Sequence, residues 1–352
     1  MRAWVFRTKG EPASSLKLEQ DWSKPVPGKH QVLVKVHAAA LNPVGWKMMS
    51  MAPLKYLTKV PAVPESDFSG VVEGGDLEGT GLQVGDAVFG IVPAESVMKT
   101  GRGVLAEYTL VEKHLLTKKP DNISFEGASS FPLTTSTAFW SMVKTSGLKK
   151  GAGQRVFING GSGGVGVNAI QLAKAYGAYV VTTCSGPSRK LVESLGADEV
   201  IDYKEGDLIE TLASKFSVKE KPFDMIFDTA GMNSELYHQS PRYLVKTGTF
   251  VDIAGPTAHT HSPGLLDMVQ GGVELVNRTL RPAWLGGTPR RYVFGMFTPD
   301  EEWLKEIGLF VAEGKLKPII DEVFPFEEAV RAYDRQKSGR AKGKVVVSVL
   351  QE

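Results

Sequence analysis

Hydrophobic and polar residues alternate in short blocks over the first third of the chain. Residues 31–37 read as a strand with one buried face, and 68–73, 86–90 and 105–111 repeat the pattern with glycine nearby. Short strands at such intervals predict a partly open barrel. From Ser124 the spacing turns helical through residue 143, with Pro132 as a kink or restart. Residues 155–158 then form an unbroken apolar run, as in a strand buried on both faces. Further runs at 179–183, 199–201, 223–228, 249–253 and 292–296 alternate with helical spacing at 167–177, 208–216 and 234–245. Together they predict a doubly wound parallel sheet. The long connection 256–291 holds an apolar helix candidate at 265–276, and such connections tend to carry function or to cover a partner surface. Amphipathic helices at 301–311 and 327–337 and a last strand at 344–349 are expected to return to the first domain. The fold class is therefore α/β. Residues 1–125 form a β-rich domain, 126–297 the parallel-sheet domain inserted in the chain, and 298–352 the return.

Between the apolar run 155–158 and the helical spacing that follows lies Asn159-Gly160-Gly161-Ser162-Gly163-Gly164-Val165-Gly166. Strand, glycine loop, helix and strand within about thirty residues is the unit that binds a dinucleotide. Gly160 can turn the chain off the strand, Gly163 lets backbone approach a pyrophosphate, and Gly166 lets the helix sit close to the sheet. Backbone N–H groups of Ser162, Gly163, Gly164 and Val165 then face the phosphates at the helix start.

The end of the second strand addresses which dinucleotide binds. An NAD site usually places a carboxylate about twenty residues past the loop. Here that region reads Cys184-Ser185-Gly186-Pro187-Ser188-Arg189-Lys190, without an acid. Ser185 can donate to a 2′-phosphate, Arg189 or Lys190 can neutralise it, and Tyr203 can close the same pocket. The expected cofactor is NADPH. The competing reading makes Arg189 and Lys190 a solvated helix face.

Composition narrows the class further. Of 352 residues, 42% are apolar and 23% charged, and 41 basic against 39 acidic residues leave a net charge of +2. That balance argues against nucleic acid or a membrane surface as the main partner. No apolar stretch reaches membrane-spanning length, and the chain opens without a signal-peptide pattern. The single cysteine, Cys184, rules out an intrachain disulfide and points to a reducing compartment, most simply the cytoplasm. Among six histidines only His259 and His261 have ligand-like spacing, in a stretch that reads more readily as a polar loop.

A barrel in front, an inserted dinucleotide fold and a returning tail resemble the medium-chain dehydrogenase/reductase family end to end. Within it the chain looks like the zinc-free quinone oxidoreductase branch, which includes zeta-crystallin. The stretches carrying the resemblance are Ala40-Leu41-Asn42-Pro43-Val44-Gly45-Trp46-Lys47, Gln83-Val84-Gly85-Asp86-Ala87-Val88-Phe89-Gly90, Asn159 to Gly166, and Ser194 to Tyr203. The resemblance implies a GroES-like first domain and a Rossmann second domain. The family's zinc-ligating His-Glu pair corresponds here to Ser66-Asp67, and no cysteine stands nearby to complete a zinc site, so no metal is expected.

Without a Lewis acid, the chemistry implied is hydride delivery to a conjugated acceptor, a quinone or the C=C bond of an α,β-unsaturated carbonyl. By the same resemblance Asn42, Lys47 and Tyr56 are the catalytic candidates. Asn42 and Lys47 would donate to ribose or substrate oxygen, and Tyr56 would be a proton donor. Their plainer readings are a turn asparagine, a surface lysine and a rim aromatic. Thr137, Ala254, Gly255, Phe294, Gly295 and Met296 match positions around the nicotinamide, and Arg340 and Lys344 would reach the active-site cleft. The partner is a small-molecule substrate, with a homodimer through sheet-edge pairing as the family expectation. Two alternatives stay open: a reductase of enoyl thioesters on a carrier, and a cofactor-binding interaction protein with little turnover.

Overall fold

The computed structural model describes residues 1–231, 235–255, 265–295 and 300–350. The chain packs as two units, Met1–Ser136 with Thr298–Glu352, and Thr137–Phe297. In the first, a seven-stranded sheet is ordered Ile320–Pro325, Lys344–Ser348, Gln31–Ala40, Asp67–Gly75, Ala87–Ile91 and Leu116–Lys118, with Tyr108–Glu112 added onto Gln31–Ala40. Gln31–Ala40 is the hub because it is long enough to pair with three strands. Register shifts at Leu33/Val34 and Val36/Ala38 mark two irregularities along it, the kind of break that curls a sheet toward a barrel. The tail returns as the sequence predicts. Lys344–Ser348 lies antiparallel to Gln31–Ala40, pairing Val346 with Ala40.

The second unit is a six-stranded, all-parallel sheet ordered Glu199–Asp202, Tyr179–Cys184, Arg155–Asn159, Phe223–Asp228, Leu244–Asp252 and Arg291–Phe294. The chain reverses its direction of build between Arg155–Asn159 and Phe223–Asp228, which puts the switch point at the carboxyl end of the glycine-loop strand. Phe157, Phe223, Ile226, Leu236 and Phe250 fill one core cluster of this unit. Its aromatic content explains why these strands read as continuous apolar runs.

Three expectations need correction. The helical stretch from Phe125 does not open the second unit: Phe125–Ser129 belongs to the first, and the division falls after Ser136. The cause is contact, since the Phe125 ring stacks on His37 at 4.1 Å and its carbonyl accepts from Ser69. The helix expected over 234–245 is a short turn Glu235–His238, then a 3₁₀ turn Ser240–Arg242, and Leu244 already begins a strand. Pro241 accounts for the break, because it has no N–H to carry a helix onward. The strand expected from residue 105 begins at Tyr108. Met296, His259 and His261 lie outside the described residues. Among the described residues no helix is long and apolar enough to cross a membrane.

Candidate functional site

In the first unit, antiparallel register brings charge to one end of the barrel sheet. Ala40 pairs with Asp67 on one side and with Val346 on the other. Asn42, Asp67 and Lys344 therefore emerge together although some 300 positions separate the ends. The Lys344 Nζ donates to the Leu41 carbonyl at 2.9 Å and Asn42 Oδ1 at 2.5 Å, and lies 3.2 Å from Asp67 Oδ2. Asn42 Nδ2 donates to Asp67 Oδ2 (2.9 Å) and the Ala40 carbonyl (3.3 Å), and the Leu133 N–H donates to Asp67 Oδ1 (2.8 Å). Lys344 is 3% exposed and Asp67 is fully buried. Burial pushes the Asp67 carboxyl up, against the pull of the Lys344 ammonium and the two N–H donors.

Glu65 lies beside this pair with a left-handed backbone, φ 72°, which is costly for a residue with a Cβ. The Tyr333 hydroxyl donates to its Oε1 at 2.7 Å and the Asn42 N–H to its Oε2 at 3.0 Å. Helix Pro43–Ser50 approaches so closely that a Cβ on Gly45 would sit 1.9 Å from Glu65 Oε1. Burial raises this carboxyl from an ordinary 4.5 to about 8. As pH rises from 4.5 toward 8 the unfolded chain loses this proton while the folded chain keeps it, so stability falls across that window. Glu65→Gln is expected to flatten this decline in thermal melts taken every half unit. A wild-type melting temperature that rises from pH 5 to 8, or an unchanged slope in the variant, would contradict it.

These contacts revise two sequence-chosen roles. Asn42 has both amide N–H groups engaged inside the barrel, and Lys344 is held by three internal oxygens, so neither presents a free donor outward. Lys47, on the same helix as Gly45, differs. It is partly buried, no carboxylate lies within ion-pair distance of it among the described residues, and burial lowers its pKa. Tyr56 is 74% exposed and Arg340 is exposed in the turn after Gly339.

In the second unit the glycine loop is pinned from below. The Gly160 N–H donates to Thr183 Oγ1 (2.9 Å), Thr183 Oγ1 donates to Asn159 Oδ1 (2.6 Å), and Asn159 Nδ2 to Asp228 Oδ1 (2.8 Å). Gly160 takes φ 88°, as a sharp turn needs. A Cβ on Gly166 would lie 2.2 Å from the Gly160 carbonyl, so this glycine seats the helix against its own loop. It is Gly161 that touches the sheet, where a Cβ would meet Thr182 Oγ1 at 2.1 Å. Helix Gly164–Ala175 starts after Gly163 with no side-chain cap, and Ser162, Gly163, Gly164 and Val165 are half-exposed. The first-turn N–H groups and the positive end of the helix dipole are thus available to an anion, and the cradle fits a dinucleotide pyrophosphate.

Cys184 pairs with Asp202, so Ser185 and Tyr203 leave adjacent strand ends side by side. Arg189 opens the next helix with its Nη1 3.6 Å from Glu193 Oε1, and Lys190 is exposed. A carboxylate does approach this region from the neighbouring strand. Asp202 Oδ2 would lie 3.0 Å from a Cβ on Gly186, while its Oδ1 accepts from the Lys204 N–H. Thr137 is buried in helix Pro132–Phe139.

Two carboxylates that no motif announces shape the remaining strand ends. Asp228 caps the turn after its strand, accepting from Ala230 and Gly231. Asp252 does the same for Ala254 and Gly255 at 2.9 and 2.8 Å, and its Oδ2 accepts from the Tyr292 hydroxyl. The N–H groups of Ala254 and Gly255 are thereby engaged. Phe294 packs on Gly255, and the Gly295 N–H donates to the Asp252 carbonyl.

The chain matches two family models, the Alcohol dehydrogenase GroES-like domain over residues 28–121 and the Zinc-binding dehydrogenase model over 195–347. It is 35% identical to the trans-enoyl reductase pgmF of Aspergillus terreus, covering 99% of this chain and 96% of that protein. It is 34% identical to NAD(P)H oxidoreductase RTN4IP1, mitochondrial, of Homo sapiens, covering 99% and 89%. The structure of the quinone oxidoreductase from Coxiella burnetii superposes with a TM-score of 0.78 at 28% identity, over 99% of each chain. The second model's name implies zinc, which needs three or four converging Cys, His or carboxylate ligands. The residues here do not fit it. Asp67 is engaged by Lys344, Asn42 and Leu133, Ser66 adjoins it, and Cys184 lies in the other unit. Among the described residues no three such side chains converge.

Proposed function

The chain belongs to the medium-chain dehydrogenase/reductase superfamily and is an oxidoreductase of it, and from that premise we propose an NADPH-dependent, zinc-independent reductase of quinones or of the C=C bond of α,β-unsaturated carbonyls. The observation that carries this reading is the Ser66-Asp67 position. There an ammonium, Lys344, already answers the buried carboxylate. With no Lewis acid to polarise an isolated carbonyl, the acceptor must spread its developing charge through conjugation.

A bound nicotinamide supplies the hydride. The chain's own groups bind, orient and stabilise. The uncapped helix start after Gly163 holds the pyrophosphate, and Ser185, Arg189 and Tyr203 support a 2′-phosphate, with Lys190 nearby. Lys47 is the donor we assign to the substrate oxygen. A partly buried ammonium with no carboxylate within ion-pair distance among the described residues gains most from an anion that forms only as hydride arrives. Lys47→Met is expected to lower kcat about tenfold while leaving NADPH affinity unchanged, in steady-state assays with a saturating acceptor. An unaltered kcat would remove Lys47 from this role. The enzyme is read as working in a reducing compartment, the cytoplasm in the simplest case, on its single buried cysteine. The similar human protein is named mitochondrial.

The likeness to a trans-enoyl reductase favours a second reading, in which the acceptor is an enoyl thioester on a carrier. A panel following NADPH absorbance against a quinone, an enal, an enone and an enoyl thioester separates the two. Turnover of the first three supports the proposal, and turnover of the thioester alone replaces it. Tight NADPH binding without turnover of any would leave an interaction protein.

A further inference from the structure

Helix Leu265–Leu280 is tied to the end of the parallel sheet by one buried cation, Arg278. The Arg278 and Asp252 side chains are 5% and 1% exposed, with Nη1 3.5 Å from Asp252 Oδ2. Arg278 Nε donates to Glu274 Oε1 at 2.7 Å, one turn back on the same helix, and that oxygen lies 2.9 Å from His238 Nε2. The guanidinium also sits 5.8 Å from the centre of the Tyr292 ring. Addressing two carboxylates from different nitrogens fixes its orientation as well as its place, which a lysine ammonium could not match.

Asp252 is the residue through which this contact can act. Its Oδ1 accepts from the Ala254 and Gly255 N–H groups, its Oδ2 from the Tyr292 hydroxyl, and its main-chain carbonyl from the Gly295 N–H. One residue thus fixes both strand-end turns that the resemblance places around the nicotinamide. Asp228, paired with Asp252 across the sheet, holds Ala230 and Gly231 in the same manner. Two carboxylates are therefore buried on neighbouring strands, and burial together with the Asp252 charge pushes the Asp228 carboxyl up. Arg278 brings a counter-charge to the pair. With it in place, the turn N–H groups bond to an answered charge and not to a bare one.

We propose that Arg278 is a positioning residue for the nicotinamide end of the cofactor, acting through Asp252 on the Ala254-Gly255 and Gly295 turns. The inference rests on the dinucleotide reading above and adds a residue outside the glycine loop and the phosphate pocket. A clamp that merely holds the helix on the sheet would, when cut, loosen the unit as a whole. A positioning residue affects the nicotinamide half alone. The adenosine half is served by a loop pinned through Thr183 and Asn159, which Arg278 does not touch.

Calorimetric titration of the full chain with two ligands separates these roles. One is NADPH and the other is adenosine 2′,5′-bisphosphate, which lacks the nicotinamide half. Arg278→Met is expected to weaken NADPH about tenfold, the worth of one or two hydrogen bonds, and to leave the bisphosphate unchanged. With both substrates saturating, kcat should fall at least about tenfold, as misplacement of a reacting group predicts. Tyr292→Phe removes a single donor to Asp252 and should shift the same ratio in the same direction by less. Equal weakening of both ligands, or no change in either, overturns the inference while the cofactor reading stands. Wild type that binds neither ligand ends both. Wild type that prefers NADH removes NADPH from the proposed function, and the comparison of NADH with ADP then decides on Arg278. Should the methionine variant fail to fold, Tyr292→Phe and Arg278→Lys decide: a shifted ratio in either supports the role, and an unshifted ratio in both ends it.

Discussion

Lys344→Met is expected to cost about 3–5 kcal/mol of unfolding free energy, the usual penalty for removing one partner of a buried ion pair. Met fills much of the lysine volume, so packing is not the cause. What changes is that Asp67, fully buried, loses the ammonium that faces it, while Asn42 Oδ1 and the Leu41 carbonyl lose a donor. The effect should be non-additive. Lys344→Met combined with Asp67→Asn leaves no bare charge and should be less destabilised than Lys344→Met alone, although Asn keeps only one oxygen for the Leu133 N–H. Urea unfolding of the four proteins closes the cycle. A single variant that loses under 1 kcal/mol would mean that Asp67 is neutral in the folded chain and the ammonium does not hold it. The variant also separates two roles for Lys344. A lysine reaching a dinucleotide would leave the melting temperature in place and weaken NADPH instead.

That ambiguity shows where reading the sequence stops. The glycine loop was legible because its geometry is local: the turn at Gly160 and the close seating of Gly166 are settled within seven residues of one another. The parallel strands were legible as apolar runs for the same reason, whereas their order across the sheet is set by long-range pairing. Lys344 entered the sequence reading only as a cation that the resemblance sends toward the cleft; its partners Asn42 and Asp67 could not be read there, because sheet register brings them together. Glu65 was hidden equally well. Its significance depends on a tyrosine from the returning tail and on a helix that approaches at a glycine. Asp228 and Asp252 carried a faint signal, each ending an apolar strand just before a small-residue turn. A carboxylate at such a place caps the turn when it accepts neighbouring N–H groups, and that pattern could have been sought. Asn42 is the reverse case: the resemblance assigned its amide to a ribose or substrate oxygen, while in the fold that amide links Asp67 to Lys344 and has no N–H left for a ligand.

Arg189→Glu is expected to weaken NADPH by about 100-fold while changing NADH by less than threefold, since a charge-assisted hydrogen bond to phosphate contributes about 1.5–3 kcal/mol and the new carboxylate adds repulsion. Arg189 is poised for this exchange. Its present partner is Glu193 at 3.6 Å on an exposed helix face, a pair weak enough to be given up for a phosphate. Ser185 and Tyr203 stand at adjacent strand ends beside it, and neither would discriminate against NADH. Asp202 sets the limit on the argument. It comes from the next strand and approaches Gly186, but its Oδ1 is turned to the Lys204 N–H. If Asp202 instead held ribose hydroxyls, Asp202→Asn would weaken NADH and spare NADPH, and Arg189→Glu would leave the ratio unchanged. Fluorescence titration of the two variants with both cofactors distinguishes these cases, because the expected changes run in opposite directions. A wild-type enzyme that binds both dinucleotides equally, with Arg189→Glu unaltered, would return Arg189 to a solvated helix face.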